Sequence, residues 1–418
     1  MAQRHAFRGS SGLQVNIRRP LVLGLACFAV SGGVAAAAVL APWQRWAGPA
    51  KPRILGPRRT TDRTPTFRFV SHEAGLSARA LKFHCALDRK RLHRCPSRYT
   101  PRLGLGRHTL RVRAVDPRGR LSPRASARVS IVRPLPRADQ TIRVGTDPYN
   151  VAEGYGAVWV TVSGGLVRLD PATGAVVARI DLSGGRPWGV ATGGGAVWIA
   201  GYGDGTITRV DPTTNAIVWR VRVDQSPLPS SNPAGVAFGG GAVWAADKAT
   251  DKIWRLDPAT GEILNVVHVG DSHEFIGFGE GSAWVASEDG VVGRLDPASG
   301  NVTRLVSAGS DADFLGFSPG AVWVTNYRTD LLWRLDPVTG AVAAKFEIGT
   351  GAQGVAFDGS WLWVAMYKLG EVLRVGPNTG KVQRRVRIGV KPRGVAVAAG
   401  SVWVANSTSG TVSRIRIP

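Results

Sequence analysis

The sequence predicts an all-β protein with a seven-bladed β-propeller over residues 140–418, a small β-sandwich before it and an apolar N-terminal helix. Three observations carry this expectation. Trp159, Trp198, Trp244, Trp284, Trp323, Trp363 and Trp403 recur at intervals of 39, 46, 40, 39, 40 and 40 residues, and self-similarity at such a period marks a propeller or solenoid. A turn of one type follows six of them: DPATG at 170–174, DPTTN at 211–215, DPATG at 257–261, DPASG at 296–300, DPVTG at 336–340 and GPNTG at 376–380. Short period-two runs of apolar residues fill the space between, the pattern of half-buried or buried strands.

From the N-terminus, Leu21–Ala41 is a run of 21 residues without charge, preceded by Arg4, Arg8, Arg18 and Arg19. That length spans a bilayer, and the basic flank marks the cytoplasmic side. Residues 1–42 are read as a signal peptide, with a small-residue cleavage site at Ala35–Ala37, or as a signal anchor with Trp43 and Trp46 at the interface. Either fate puts the remainder outside the cytoplasm, secreted or held by a single helix. Residues 43–63 read as a linker. Within 64–133, Thr66–Val70, Leu81–Leu87 and His108–Val115 alternate apolar with Arg, Lys or Thr and read as sandwich strands. Cys85 and Cys95 lie in this exported domain, where a disulfide is the simplest expectation and two free thiols the alternative. Pro134–Asp139 reads as a hinge.

Each repeat then has four parts. In the second, a short strand, Gly189–Ala191, leads through a Gly-rich turn to the Trp strand Ala196–Ala200. An Arg-bearing strand, Thr206–Asp211, and an outer strand, Ala216–Val221, complete it. Four antiparallel strands per repeat favour a propeller over a helical solenoid. In the turn, Asp accepts from backbone N–H groups, Pro presets the first corner and Gly takes the left-handed residue, a place that Asn215 also tolerates. Residues 411–417 supply only a third strand, so 140–145 are expected to complete the seventh blade and remove its open edges.

Charge is unevenly placed. Residues 1–50 hold 5 basic and no acidic groups, 51–140 hold 23 and 5, and 141–418 hold 25 and 24. A propeller so close to neutral lacks the basic groove of a nucleic-acid binder, and no nucleic-acid partner is expected. The excess before residue 141 reads as a basic collar beside anionic lipids or wall polymers, with Arg89, Lys90, Arg91 and Arg94 as its densest cluster.

The order Phe83, Cys85, Leu87-Asp88, Cys95, Tyr99, Leu103, Gly106, His108, Leu110, Val112, Ala114-Val115-Asp116, Gly119 resembles bacterial immunoglobulin-like repeats of exported surface proteins. This resemblance implies a spacer or adhesion module without catalytic residues. Trp323-Val324-Thr325-Asn326 and Trp403-Val404-Ala405-Asn406, with the D-P-x-T-G turns, resemble YVTN-type propeller repeats, whose wider kinship includes NHL repeats, pyrroloquinoline-quinone-type repeats and the virginiamycin B lyase family. The lyase kinship implies a metal held by carboxylates and a His base, with Glu directly after each Trp strand. The matching positions here are Val162, Gly201, Asp247, Ser287, Asn326, Met366 and Asn406, of which Asp247 is acidic.

Loops that precede the inner strands and loops that follow the Trp strands meet on one propeller face. They bring Tyr149, Arg186, Trp188, Tyr202, Asp247, Glu288, Tyr327, Tyr367 and Arg393 together as candidate ligand-binding residues, with Asn150, Asn232, Gln353, Lys391 and Asn406 nearby. Aromatics, amides and both charge signs suit a polar ligand or peptide. His273 and Glu274 are the candidate catalytic pair and Asp311 and Asp313 the candidate metal ligands. The extra residues in Gln225–Pro233 lengthen one loop of this face. The expected function is a non-catalytic recognition scaffold of the cell envelope, a monomer without cofactor whose ligand is a protein, peptide or glycan. The alternatives are a lyase using Mg or Ca with His273 and Glu274, and a structural surface protein without a specific ligand.

Overall fold

The computed structural model describes residues 48–224, 231–270 and 272–417, with the side chain of Glu274 outside the description. The segment 21–41 and most of the Gln225–Pro233 insertion lie outside the described residues. Among those described, no helix is long and apolar enough to cross a membrane. The chain divides into two compact units, one running to Arg133 and the other starting at Pro134.

The first unit is built from two sheets. Arg53–Leu55, Phe67–Val70 and Arg98–Tyr99 form one, while Arg59–Thr60, Ala125–Ile131, Gly106–Val115, Lys82–Leu87 and His93–Cys95 form the other. Alternation decides which side chains enter the core between them: Phe67 and Phe69 point in while Arg68 and Val70 stay exposed. They meet Phe83, Cys85, Leu110, Val112, Val129 and Ile131 of the larger sheet. Cys85 and Cys95 are joined as a disulfide with their Cα atoms 5.9 Å apart. Two sequence boundaries are corrected here. The stretch 43–63 contributes the strands Arg53–Leu55 and Arg59–Thr60, too short to show alternation, and is not a linker throughout. Nor is 134–139 a free hinge, because the Pro136 carbonyl accepts from the Arg387 N–H and Ala138 N–H donates to the Arg387 carbonyl.

The second unit contains, among the described residues, seven four-stranded antiparallel sheets. Their inner strands, which number the sheets in order, are Val151–Gly154, Pro187–Gly193, Pro233–Gly239, His273–Gly279, Ala312–Ser318, Ala352–Phe357 and Pro392–Ala398. Each inner strand packs on the next, and Pro392–Ala398 packs back on Val151–Gly154, so the inner strands make a ring. The outer strand of the seventh sheet is Gln140–Arg143, which pairs antiparallel with Thr411–Arg416 from the far end of the unit.

Each repeat tryptophan is fully buried in the second strand of its sheet. Its indole N–H donates five residues back, to the Gly154, Gly193, Gly239, Gly279 or Ala398 carbonyl, to Ser318 Oγ or to Asp358 Oδ2. Register sets an arginine of the third strand directly opposite every one of the seven tryptophans, as with Trp284 and Arg294. The guanidinium lies 5.1–5.8 Å from the ring centroid, within reach of a cation–π attraction. Asp turns close the outer hairpins of the first five sheets: Asp170 Oδ1 accepts from the N–H groups of Ala172 and Thr173, and Gly174 takes φ +78°. Asn215 takes φ +61° at the same place in its turn.

Candidate functional site

Two groups of side chains share the propeller face made by the loops before inner strands and after Trp strands. The first is aromatic. Trp188 stacks between Tyr149 (4.4 Å between centroids) and Tyr202 (3.7 Å), and Arg186 lies 5.9 Å over the Trp188 ring while pairing with Asp147 at 3.8 Å. Tyr149 continues to Phe275 (6.5 Å), which stacks on Phe314 at 3.4 Å. Tyr149, Phe275 and Phe314 are buried as a cluster of their own with Trp188 packed against it. Phe275 and Phe314 stand two and one residues after His273 and Asp313, in the loops that the sequence places on this face.

The second group surrounds a cavity of about 260 Å³ lined by Glu288, Asp311, Ala312, Asp313, Tyr327, Arg328, Gln353, Tyr367 and Arg393. These residues come from the fourth, fifth, sixth and seventh sheets. Asp313 and Gln353 form the buried part, each 4% exposed, with Gln353 Nε2 donating to Asp313 Oδ2 at 2.6 Å. Gln353 Oε1 is buried and accepts no hydrogen bond from the described residues. At the rim Arg328 pairs with Asp311 at 3.1 Å and Lys248 pairs with Glu288. Tyr327 and Tyr367 meet edge to face at 5.6 Å, with Lys368 over Tyr327 and Lys391 over Tyr367. Arg393 links the two groups, lying 4.3 Å over Tyr149 and 5.0 Å over Tyr367. Arg328 was missed in sequence because it follows a Trp strand by two residues and resembles any exposed loop arginine.

Two sequence candidates do something else. Asp247 is fully buried, accepting from the N–H groups of Ala249 (2.6 Å), Thr250 (2.9 Å) and Asn232 (3.0 Å). Burial nonetheless raises its carboxyl above the usual value. It ties the loop after the third Trp strand to the end of the insertion and offers no free oxygen to a ligand. His273 does not line the cavity. It is fully buried where its strand pairs with Ser287, and burial pushes its imidazole down, against the weaker pull of the Val269 and Asp247 carbonyls toward the protonated form. The Glu274 side chain lies outside the description. Asp311 and Asp313 do reach one cavity, yet one is neutralised by Arg328 and the other is held by Gln353. Among the described residues no group of three or more His, Cys, Asp and Glu side chains converges as a metal site would.

Residues 162–313, less than half of the chain, match a family described as outer membrane protein assembly factor BamB. No curated protein matches the chain. Among solved structures it is similar to Kuenenia stuttgartiensis hydrazine synthase, with a TM-score of 0.55 and 15% identity over 67% of this chain and 97% of that one. It is also similar to a chain of the mitotic checkpoint complex, with a TM-score of 0.60 and 10% identity over 67% of this chain and 92% of that one. At such identities the likeness concerns architecture, and with the ring of four-stranded sheets it places the second unit among the β-propellers.

Proposed function

We propose that the chain is an exported envelope protein in which a seven-bladed propeller of the YVTN/NHL type recognises a peptide segment of a protein partner without transforming it. The immunoglobulin-like first unit serves as the spacer, and the 21-residue apolar run as the anchor or export signal. The observation that carries the reading is the buried Asp313–Gln353 pair: Gln353 lines a polar cavity beside a stacked aromatic bed, and its Oε1 has no hydrogen-bond partner among the described residues. A buried acceptor left unanswered costs roughly 1–3 kcal/mol, which a ligand N–H donor relieves. Tyrosine, arginine and amide side chains around a concave patch are the composition of a recognition site. The family matched by residues 162–313 bears the name of a protein assembly factor, which favours a protein partner. The disulfide in the first unit supports an oxidising compartment outside the cytoplasm.

The test is a display screen of peptides against the full chain in nonionic detergent, followed by titration of the selected peptide. Binding is expected to weaken about tenfold or more in Gln353→Leu, with the peptide recovered intact by mass spectrometry. Cleaved or modified peptide, or affinity indifferent to residue 353, counts against the proposal.

A further inference from the structure

The first unit carries a surface that the recognition site on the propeller face does not use. Strand alternation sends Leu110 and Val112 of Gly106–Val115, and Val129 and Ile131 of Ala125–Ile131, into the core. Arg107, Thr109, Arg128 and Ser130 therefore share the opposite face of the five-stranded sheet. Register makes them a square: Arg107 lies directly across from Ser130, and Thr109 directly across from Arg128. Two guanidinium groups occupy one diagonal and two hydroxyls the other, with direct neighbours about 5 Å and diagonals about 7–8 Å apart at the backbone. Together with His108 the four side chains line a hollow of about 470 Å³, and both arginines are exposed. Arg59 extends the row on the far side of Ser130.

The carboxylates of the unit are engaged elsewhere. Glu73 and Asp116 both bind Arg120, and Asp62 accepts from Thr64 in its own turn. Asp88, the acid nearest the square, is held at its edge by His108 Nδ1 at 2.9 Å and by the Thr109 N–H at 2.8 Å. Like charges directly opposite one another destabilise a strand pair; here each arginine faces a hydroxyl. The result is a set of forked cationic donors with interleaved O–H donors, which matches the several acceptor oxygens of a phosphoryl group.

We propose that this square is a phosphoryl-binding site, taking the phosphate of a lipid headgroup or of a soluble phosphate polymer. In the test, the full chain in nonionic detergent is titrated with inorganic phosphate, with inorganic polyphosphate and with micelles doped with phosphatidylglycerol. Binding in one or more arms, weakening as salt rises, is the expected result, and the tightest arm identifies the source. The Arg107→Ser/Arg128→Ser variant should lose about tenfold in affinity, whereas Arg68→Ser/Arg98→Ser, which removes the same charge from an exposed pair on the three-stranded sheet, should lose about twofold or less. Arg107→Lys/Arg128→Lys keeps the charge without the fork and should fall between; it stands in if the serine variant does not fold. Equal losses in the two serine variants, full affinity in the lysine variant, or no binding in any arm would overturn the site.

Discussion

Arginines on alternating strands meet opposite fates in the two units. In the propeller both faces of each sheet are covered, so an arginine opposite a buried tryptophan is held: Arg294 lies over Trp284 and bonds Ser282 Oγ and the Val338 carbonyl. In the first unit one face of the larger sheet is open, and Arg107 and Arg128 stand exposed. The same residue type in the same period is thus structural where a neighbouring sheet closes over it and available for binding where none does. A nearly balanced charge in the propeller is compatible with a specific site, because at that site the ions stand in opposite pairs, Arg328 with Asp311 and Lys248 with Glu288.

The sharpest way to break this contrast is to remove a tryptophan. Trp284→Ala should cost about 3–5 kcal/mol, through lost burial and the cavity left behind, read as a large drop in the denaturant midpoint. Next, Arg294→Ala should cost about 2 kcal/mol from the cation–π contact and two hydrogen bonds, whereas Arg107→Ala should stay within about 0.5 kcal/mol. Comparable losses for the two arginines would remove the distinction drawn here. The smallest effect per residue concerns acid. Backbone N–H groups of the Thr or Ser three residues on hold Asp170, Asp211, Asp257, Asp296 and Asp336 below their ordinary value of 3.8. A depressed carboxyl contributes stability above the unfolded value that is lost as pH falls through the lower folded one. The melting temperature should therefore fall below about pH 4, and Asp257→Asn, which still accepts in the turn, should lessen that fall with little change at pH 7.

The fold was legible because its signals repeat. Tryptophan spacing and the Asp-Pro turns state one local arrangement many times over, and a substitution such as Asn215 obeys the same backbone rule as the glycines it replaces. The site was half legible. Loop position placed Glu288, Asp311, Asp313, Tyr327, Gln353, Tyr367 and Arg393 on one face, and they line one cavity. Position says nothing of where a side chain turns, so Asp247 and His273, equally well placed by loop order, are buried in their own sheets instead. The Trp–Arg opposition was also hidden, since it depends on cross-strand register rather than spacing along the chain.

The pairing of Gln140–Arg143 with Thr411–Arg416 has a consequence for biogenesis. The partners lie some 270 residues apart, and closing a loop of that length costs about 5 kcal/mol of chain entropy. During synthesis the first strand of the propeller must wait, exposed, until residues 411–416 emerge. Until then six sheets can form while the seventh lacks its outer strand, so the ring gains its last ladder of hydrogen bonds only when that late segment is delivered. A chain cut short before residue 411 would leave that early strand as an unpaired edge, open to proteolysis or to capture by a neighbouring molecule.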